Sequence, residues 1–118
     1  MKLTSLWLAG LMIAGQITLA CADPSGTYDI AGTNPDGGTY EATVLVAGIG
    51  DTFSLTYTLE DGTKLEGTAI GDDTVLAIGY IQDETSGVAL MFSDEGTWQG
   101  VWSYLGSKAL GMETWTPQ

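Results

Sequence analysis

The sequence predicts an all-β domain: an eight-stranded antiparallel up-and-down (meander) barrel of the lipocalin or avidin type, preceded by a signal peptide. Three observations predict it. Eight short segments rich in Thr, Val, Ile, Leu, Tyr and Trp succeed one another. Short turns rich in Gly and Asp separate them, so that neighbouring strands must be antiparallel. No apolar stripe of helical period occurs after Asp23.

The first 22 residues have the pattern of an export signal. Lys2 supplies a positive start, and Leu6–Gly15 is an apolar run of ten residues, too short to cross a bilayer as a helix. Ala20 to Ala22 fits the A-x-A rule of signal peptidase. We therefore expect cleavage before Asp23, a single domain of residues 23–118, and a periplasmic or secreted location.

Cys21, the only cysteine, leaves a second interpretation open. In one interpretation it is the acylated first residue of a lipoprotein anchored to the membrane, although Thr18 stands where lipoprotein signals usually have leucine. In the other it is an ordinary residue of the cleavage site. Either way the domain after residue 22 has no thiol, so no disulfide can stabilise it.

Composition excludes several functions. Once Lys2 leaves with the signal, Lys64 and Lys108 are the only basic residues against fifteen acids, with no Arg or His. Such a surface repels phosphate backbones and anionic lipid, which excludes a nucleic-acid partner. Two explanations of the acidic surface remain: it keeps the protein soluble, or it binds a basic partner. Without His or a thiol there is no Ser-His-Asp or Cys-His arrangement. We expect no cofactor, no metal and no enzymatic activity.

The first two strands form a hairpin across Asn34–Gly37, where Pro35 presets φ and Gly37 supplies positive φ. Period-two alternation is clearest in the second, third and seventh strands. The fifth strand is apolar on both faces, so we expect the N-terminal segment or a partner to cover its outer side. The predicted strands are Gly26–Gly32, Thr39–Ala47, Thr52–Glu60, Thr63–Ile70, Thr74–Gln82, Gly87–Ser93, Thr97–Leu105 and Lys108–Trp115.

A meander with one apolar face predicts closure, because a barrel removes both edges and turns that face inward. Glycines inside the strands, at Gly67, Gly79, Gly100 and Gly111, are places where a closed sheet can bend. A two-sheet sandwich is the alternative. A membrane barrel fits less well, because its strands run to about nine to eleven residues and the polar face here is Thr, Glu and Ser.

The interior supplies the candidate ligand-binding residues. Large rings with polar atoms are expected to face inward, and they either fill the core or leave a pocket for a small apolar or aromatic compound. Glu113 lies inside if Trp115 does, because residues two apart share a face, and tyrosine hydroxyls or backbone amides would then be its partners. The candidates are Tyr40, Tyr57, Trp98, Trp102, Tyr104 and Glu113.

Several motifs resemble those of a group of small exported bacterial proteins. These are G-T-Y-D-I-A-G-T-N-P-D-G-G-T-Y-E-A (Gly26–Ala42), D-E-G-T-W-Q-G-V-W (Asp94–Trp102) and G-M-E-T-W-T-P (Gly111–Pro117). The group shares a G-x-Y-x-V-x-G-x-N-P-D-G opening, and the resemblance implies a fold rather than an activity; some members are labelled fibronectin-binding. A looser resemblance to barrel lipoproteins that inhibit lysozyme or metalloproteases suits a basic enzyme as partner.

The sequence therefore predicts an exported, monomeric, non-enzymatic binding protein. Its ligand is either a small apolar molecule held inside the barrel, or a basic or extracellular protein, such as lysozyme or fibronectin, bound by the acidic surface and loops.

Overall fold

The computed structural model describes residues 23–118, which form eight β-strands and no helix. The predicted signal peptide and Cys21 lie outside this range. Within it, no helix long and apolar enough to cross a membrane is present. The strands are β1 (Gly26–Thr33), β2 (Thr39–Ile49), β3 (Thr52–Leu59), β4 (Lys64–Gly71), β5 (Val75–Gln82), β6 (Thr85–Asp94), β7 (Thr97–Tyr104) and β8 (Gly111–Pro117).

The strands form a closed antiparallel barrel in sequence order. Each strand pairs with the next along the chain, and β8 returns to pair with β1, from Tyr28 opposite Pro117 to Thr33 opposite Met112. This confirms the up-and-down barrel over the two-sheet sandwich. Closure gives every strand two hydrogen-bonded neighbours and leaves no exposed sheet edge.

The predicted strand bounds differ from the observed ones by at most three residues, and two of these differences have a local cause. The last strand begins at Gly111 and not at Lys108, because Ser107 and Ala109 form a local turn: the Ser107 hydroxyl donates to the Ala109 carbonyl oxygen and accepts from the Ala109 amide. The sixth strand begins at Thr85, two residues before the predicted Gly87. Asp83 adopts a φ of 54°, and this left-handed conformation closes a turn of only two residues.

One end of the barrel is solid, and we call it the closed end. Here the N-terminal segment crosses the opening: Pro24 is buried, and the Tyr28 hydroxyl donates to its carbonyl oxygen at 2.7 Å. Trp115 has no exposed surface, and its ring centroid lies 5.6 Å from that of Tyr28; Trp98 is also buried, at 3% exposed. These side chains fill the interior of this half, as in small barrels generally.

The outer side of β5 is open to solvent, since Ala77 and Ile81 are exposed. No residue of the described range covers it, and a cover by the N-terminal segment or a partner stays a prediction. Adjacent strands extend this patch in register, because Ile70 pairs with Ala77, Ala77 with Leu90, Leu90 with Val101 and Val101 with Met112. We call these five residues the apolar outer face.

Candidate functional site

A cavity of about 390 Å³ occupies the other half of the barrel, which we call the open end. The β1–β2, β3–β4 and β5–β6 turns and the β7–β8 loop surround this end. The lining combines aromatic rings, aliphatic side chains and acids, and contains no lysine. The lining residues are Asn34, Tyr40, Glu41, Ala42, Tyr57, Leu59, Glu60, Asp61, Leu65, Tyr80, Gln82, Ala89, Trp102 and Glu113.

Glu113 is the acid in the floor of the cavity. It precedes Trp115 by two residues on β8 and therefore shares its inward face, which answers the question that the sequence left open. Its Oε1 accepts a hydrogen bond from Trp115 Nε1 at 2.9 Å, and its Oε2 accepts one from the Tyr40 hydroxyl at 2.5 Å. The tyrosine partner matches the prediction, whereas the indole was not anticipated.

Burial sets the protonation of the polar groups around Glu113. Desolvation raises the pKa of Glu113 above its ordinary value of 4.5, and the hydrogen bonds from Trp115 and Tyr40 offset only part of that effect. Burial, and next the nearby Glu113 charge, raise the pKa of Tyr40 and Tyr57, and they raise the pKa of Tyr80 to about 12. The three phenols therefore stay protonated at neutral pH.

Three of the cavity's rings each lie on a glycine of the adjacent strand. Gly32 pairs with Tyr40, Gly87 with Tyr80 and Gly111 with Trp102. A Cβ added at any of these glycines would overlap the ring of its partner. Because the glycines provide this space, the rings can lie flat against the barrel wall.

Trp102 contacts both the barrel wall at Gly111 and the ring of Tyr40, the residue that donates to Glu113. Its ring stacks on that of Tyr40, with centroids 6.2 Å apart and planes 14° from parallel. Its Nε1 atom is buried and has no hydrogen-bond acceptor in suitable geometry among residues 23–118. An indole donor left unpaired in a protein interior is uncommon.

The structure brings four of the six candidate residues together: Tyr40, Tyr57, Trp102 and Glu113 all line the cavity. Trp98 is inward but lies at the closed end, opposite Trp115, and does not reach the cavity. Tyr104 shares the strand face of Trp102, with ring centroids 6.2 Å apart, but it does not line the cavity with the other candidates. It is the last residue of β7 and is 42% exposed, because the strand has by then passed the rim of the barrel.

Sequence reasoning missed Tyr80, whose ring forms an edge-to-face pair with Tyr57 at 6.3 Å. The β5 sequence is apolar on both faces, so alternation alone gives no inward side. Only the structure shows the inward side: Leu76 and Ile78 are buried, and Tyr80 has the same parity.

Exposed acids line the rim of the cavity. Glu41 lies on β2, and Glu60 and Asp61 lie in the β3–β4 turn. Asp61 accepts a hydrogen bond from the Thr63 amide at 2.9 Å, and its bonds to Thr63 hold the pKa of its carboxyl below the usual value. Within residues 23–118, no three Asp or Glu side chains cluster closely enough to bind a metal ion.

Comparison with solved structures identifies the fold. The chain is similar to a redesigned β-barrel with a TM-score of 0.67 and 14% identity, covering 80% of this chain and 90% of that one. It is also similar to the redesigned β-barrel mFAP1 bound to DFHBI, with a TM-score of 0.60, 15% identity, and 80% and 94% of the two chains covered. A third similar structure, EF1p2_mFAP2b bound to DFHBI, has a TM-score of 0.60, 17% identity, and coverage of 80% and 93%.

These similarities show the barrel fold and nothing finer. No protein-family model matches the chain, and no curated protein matches it in sequence. The resemblance to small exported bacterial proteins therefore stays a prediction, as does the fibronectin-binding label attached to it.

Proposed function

We propose that this protein is an exported, non-enzymatic binding protein that holds a small apolar or aromatic ligand in the cavity at the open end. The observation that carries the proposal is a cavity of about 390 Å³ whose rings lie against the wall and whose floor holds a carboxylate. Ligand pockets are typically concave and mostly apolar, with a few converging polar groups. Meander barrels of the lipocalin and avidin type use their interior in this way.

Two further observations support the binding of a small ligand inside the barrel. The closed end is filled by Trp98, Trp115 and Pro24, so in the part of the chain that the structure describes a ligand enters through the acidic rim. In addition, two of the similar barrels are bound to DFHBI.

A catalytic function has less support. The described residues contain no His and no Cys to act as a base or nucleophile. Glu113, the acid of the cavity floor, is hydrogen-bonded on both of its oxygens to side chains of the protein.

The test is titration with N-phenyl-1-naphthylamine, a neutral dye whose emission rises in apolar surroundings. We expect saturable binding at one site per chain. Ala42→Phe adds a ring to the half-buried cavity wall and should abolish binding, whereas Ala77→Phe adds the same ring to the exposed side of β5 and should not. Equal binding by both variants would place the dye outside the cavity.

Export is part of the same proposal and has its own test. Cleavage before Asp23 predicts a secreted or periplasmic monomer whose mass is that of residues 23–118. Mass spectrometry of the exported protein distinguishes this from the alternative, a chain that begins with acylated Cys21 and is anchored in the membrane.

The acidic surface favours a second candidate, a module that binds a basic protein. The chain has a net charge of −12, and Glu41, Glu60 and Asp61 concentrate negative charge at the open end. Attraction between exposed charges is screened by salt, so binding to immobilised lysozyme or fibronectin should weaken as ionic strength rises. Retention no better than that of an unrelated acidic protein would remove this candidate.

A further inference from the structure

Among residues 23–118, the interior carboxylate has no cationic partner. Both Glu113 oxygens accept hydrogen bonds from uncharged groups, the Tyr40 hydroxyl and the Trp115 indole. No lysine lines the cavity, and the sequence contains no arginine that could supply a positive charge there. A carboxylate held in largely apolar surroundings without a counter-charge is costly, and a ligand that brings a positive charge relieves that cost.

The rings around Glu113 add a second attraction for positive charge. Tyr40, Tyr57, Tyr80 and Trp102 all line the cavity. The face of an aromatic ring carries negative electrostatic potential, so rings that surround a cation stabilise it, and quaternary ammonium groups are bound in this manner. The same rings also bury an apolar body.

The rim favours the same sign of charge. Glu41, Glu60 and Asp61 stand at the cavity mouth, and the net charge of the chain is −12. A negative potential at a cleft raises the local concentration of cations and lowers that of anions. An anionic ligand would have to pass these acids and then lie beside Glu113.

We propose that the ligand of this cavity is a small organic cation, a protonated or quaternary amine attached to an apolar or aromatic body, with its positive charge facing Glu113 and the ring faces of Tyr57, Tyr80 and Trp102. This inference rests on the proposed function, because it names the class of ligand that the same cavity takes.

The test compares two molecules of the same shape. Phenyltrimethylammonium and tert-butylbenzene differ in having nitrogen with a positive charge or neutral carbon at one position. Each is titrated into the purified protein, with binding followed by tryptophan fluorescence. We expect the cation to bind at least about tenfold more tightly than its neutral counterpart, which is the scale of a cation held against desolvated rings.

A pair of variants locates the effect. Glu113→Gln should lower the ratio of the affinity for the cation to that for tert-butylbenzene about tenfold. Glu66→Gln makes the same change in net charge on the exposed outer side of β4 and should leave both affinities unchanged. Thermal denaturation of each variant establishes that it is folded, and the comparison of the two ligands on the unaltered protein needs no variant.

The outcomes separate the two proposals. Equal affinity for the two molecules, or equal loss of cation binding in both variants, overturns the cationic ligand and leaves the cavity as a site for neutral ligands. If neither of these molecules binds and N-phenyl-1-naphthylamine does not bind either, the proposed function is overturned, and the cationic ligand with it.

Discussion

The ring of Tyr40 lies on Gly32, the residue directly opposite it on β1, and from there its hydroxyl donates to Glu113 on β8. Gly32 therefore affects the position of Glu113, which it does not itself contact through a side chain. Because position 32 has no side chain, the ring can fold down against the wall, hold the carboxylate in the floor and leave the centre of the barrel free.

Gly32→Ala should therefore destabilise the protein and displace Tyr40. The new Cβ overlaps the ring, and relieving such an overlap in a packed interior costs about 1–3 kcal/mol. Urea denaturation measures the cost. Gly79→Ala is the control, because its Cβ would meet nothing within 4 Å, and we expect its effect to stay below about 1 kcal/mol. An equal loss of stability in both variants would argue against the ring–glycine contact.

Tyr40→Phe should remove one of the two donors to Glu113 without changing the shape of the cavity. Loss of a donor to a part-buried carboxylate costs about 1–3 kcal/mol of unfolding free energy, measured by chemical denaturation. Tyr104→Phe, at an exposed hydroxyl, should change stability by less than about 0.5 kcal/mol. If Tyr40→Phe costs as much in a Glu113→Leu background, where position 113 has no hydrogen-bond acceptor, the energy does not come from this hydrogen bond.

Glu113→Gln should change the pH dependence of stability in a defined direction. Burial raises the pKa of Glu113 above 4.5, so between that value and the raised one the folded protein holds a proton that the unfolded chain has lost. The contribution of Glu113 to stability is therefore most favourable at low pH, and it is lost as pH rises through the raised pKa.

The stability of Glu113→Gln relative to the unaltered protein should accordingly increase from about pH 4.5 towards neutrality. The other groups that face the cavity, the phenols of Tyr40, Tyr57 and Tyr80 and the rim acids Glu41, Glu60 and Asp61, are present in both proteins, so the difference isolates Glu113. Thermal melts across this range measure it. A difference that does not vary with pH would mean that Glu113 is solvated like a surface acid.

Alternation predicted the barrel because it depends only on which residues face water. Phe53, Leu55, Tyr57 and Leu59 share one side of β3, and that side is inward. The same reasoning fixed the position of Glu113 once Trp115 was known to be buried. It did not show that Tyr104 lies at the exposed rim, since strand parity carries no information on where the barrel ends.

The cavity could not be predicted, because its volume depends on the direction of a few rings. Gly87 and Gly111 accommodate the rings of Tyr80 and Trp102, a relationship between strands that only the register reveals. In the sequence Gly111 suggests a bend in the sheet, and Gly32 and Gly87 suggest strand ends. A side chain at any of those positions would overlap the ring opposite it.

The most direct measurement of where a ligand binds is a set of intermolecular nuclear Overhauser effects with N-phenyl-1-naphthylamine bound. Two apolar sites compete for it, the cavity at the open end and the apolar outer face. We expect contacts from the dye to the ring protons of Tyr57, Tyr80 and Trp102. Contacts to the methyl groups of Ile70 and Leu90 instead, with none to those rings, would contradict a ligand-binding interior.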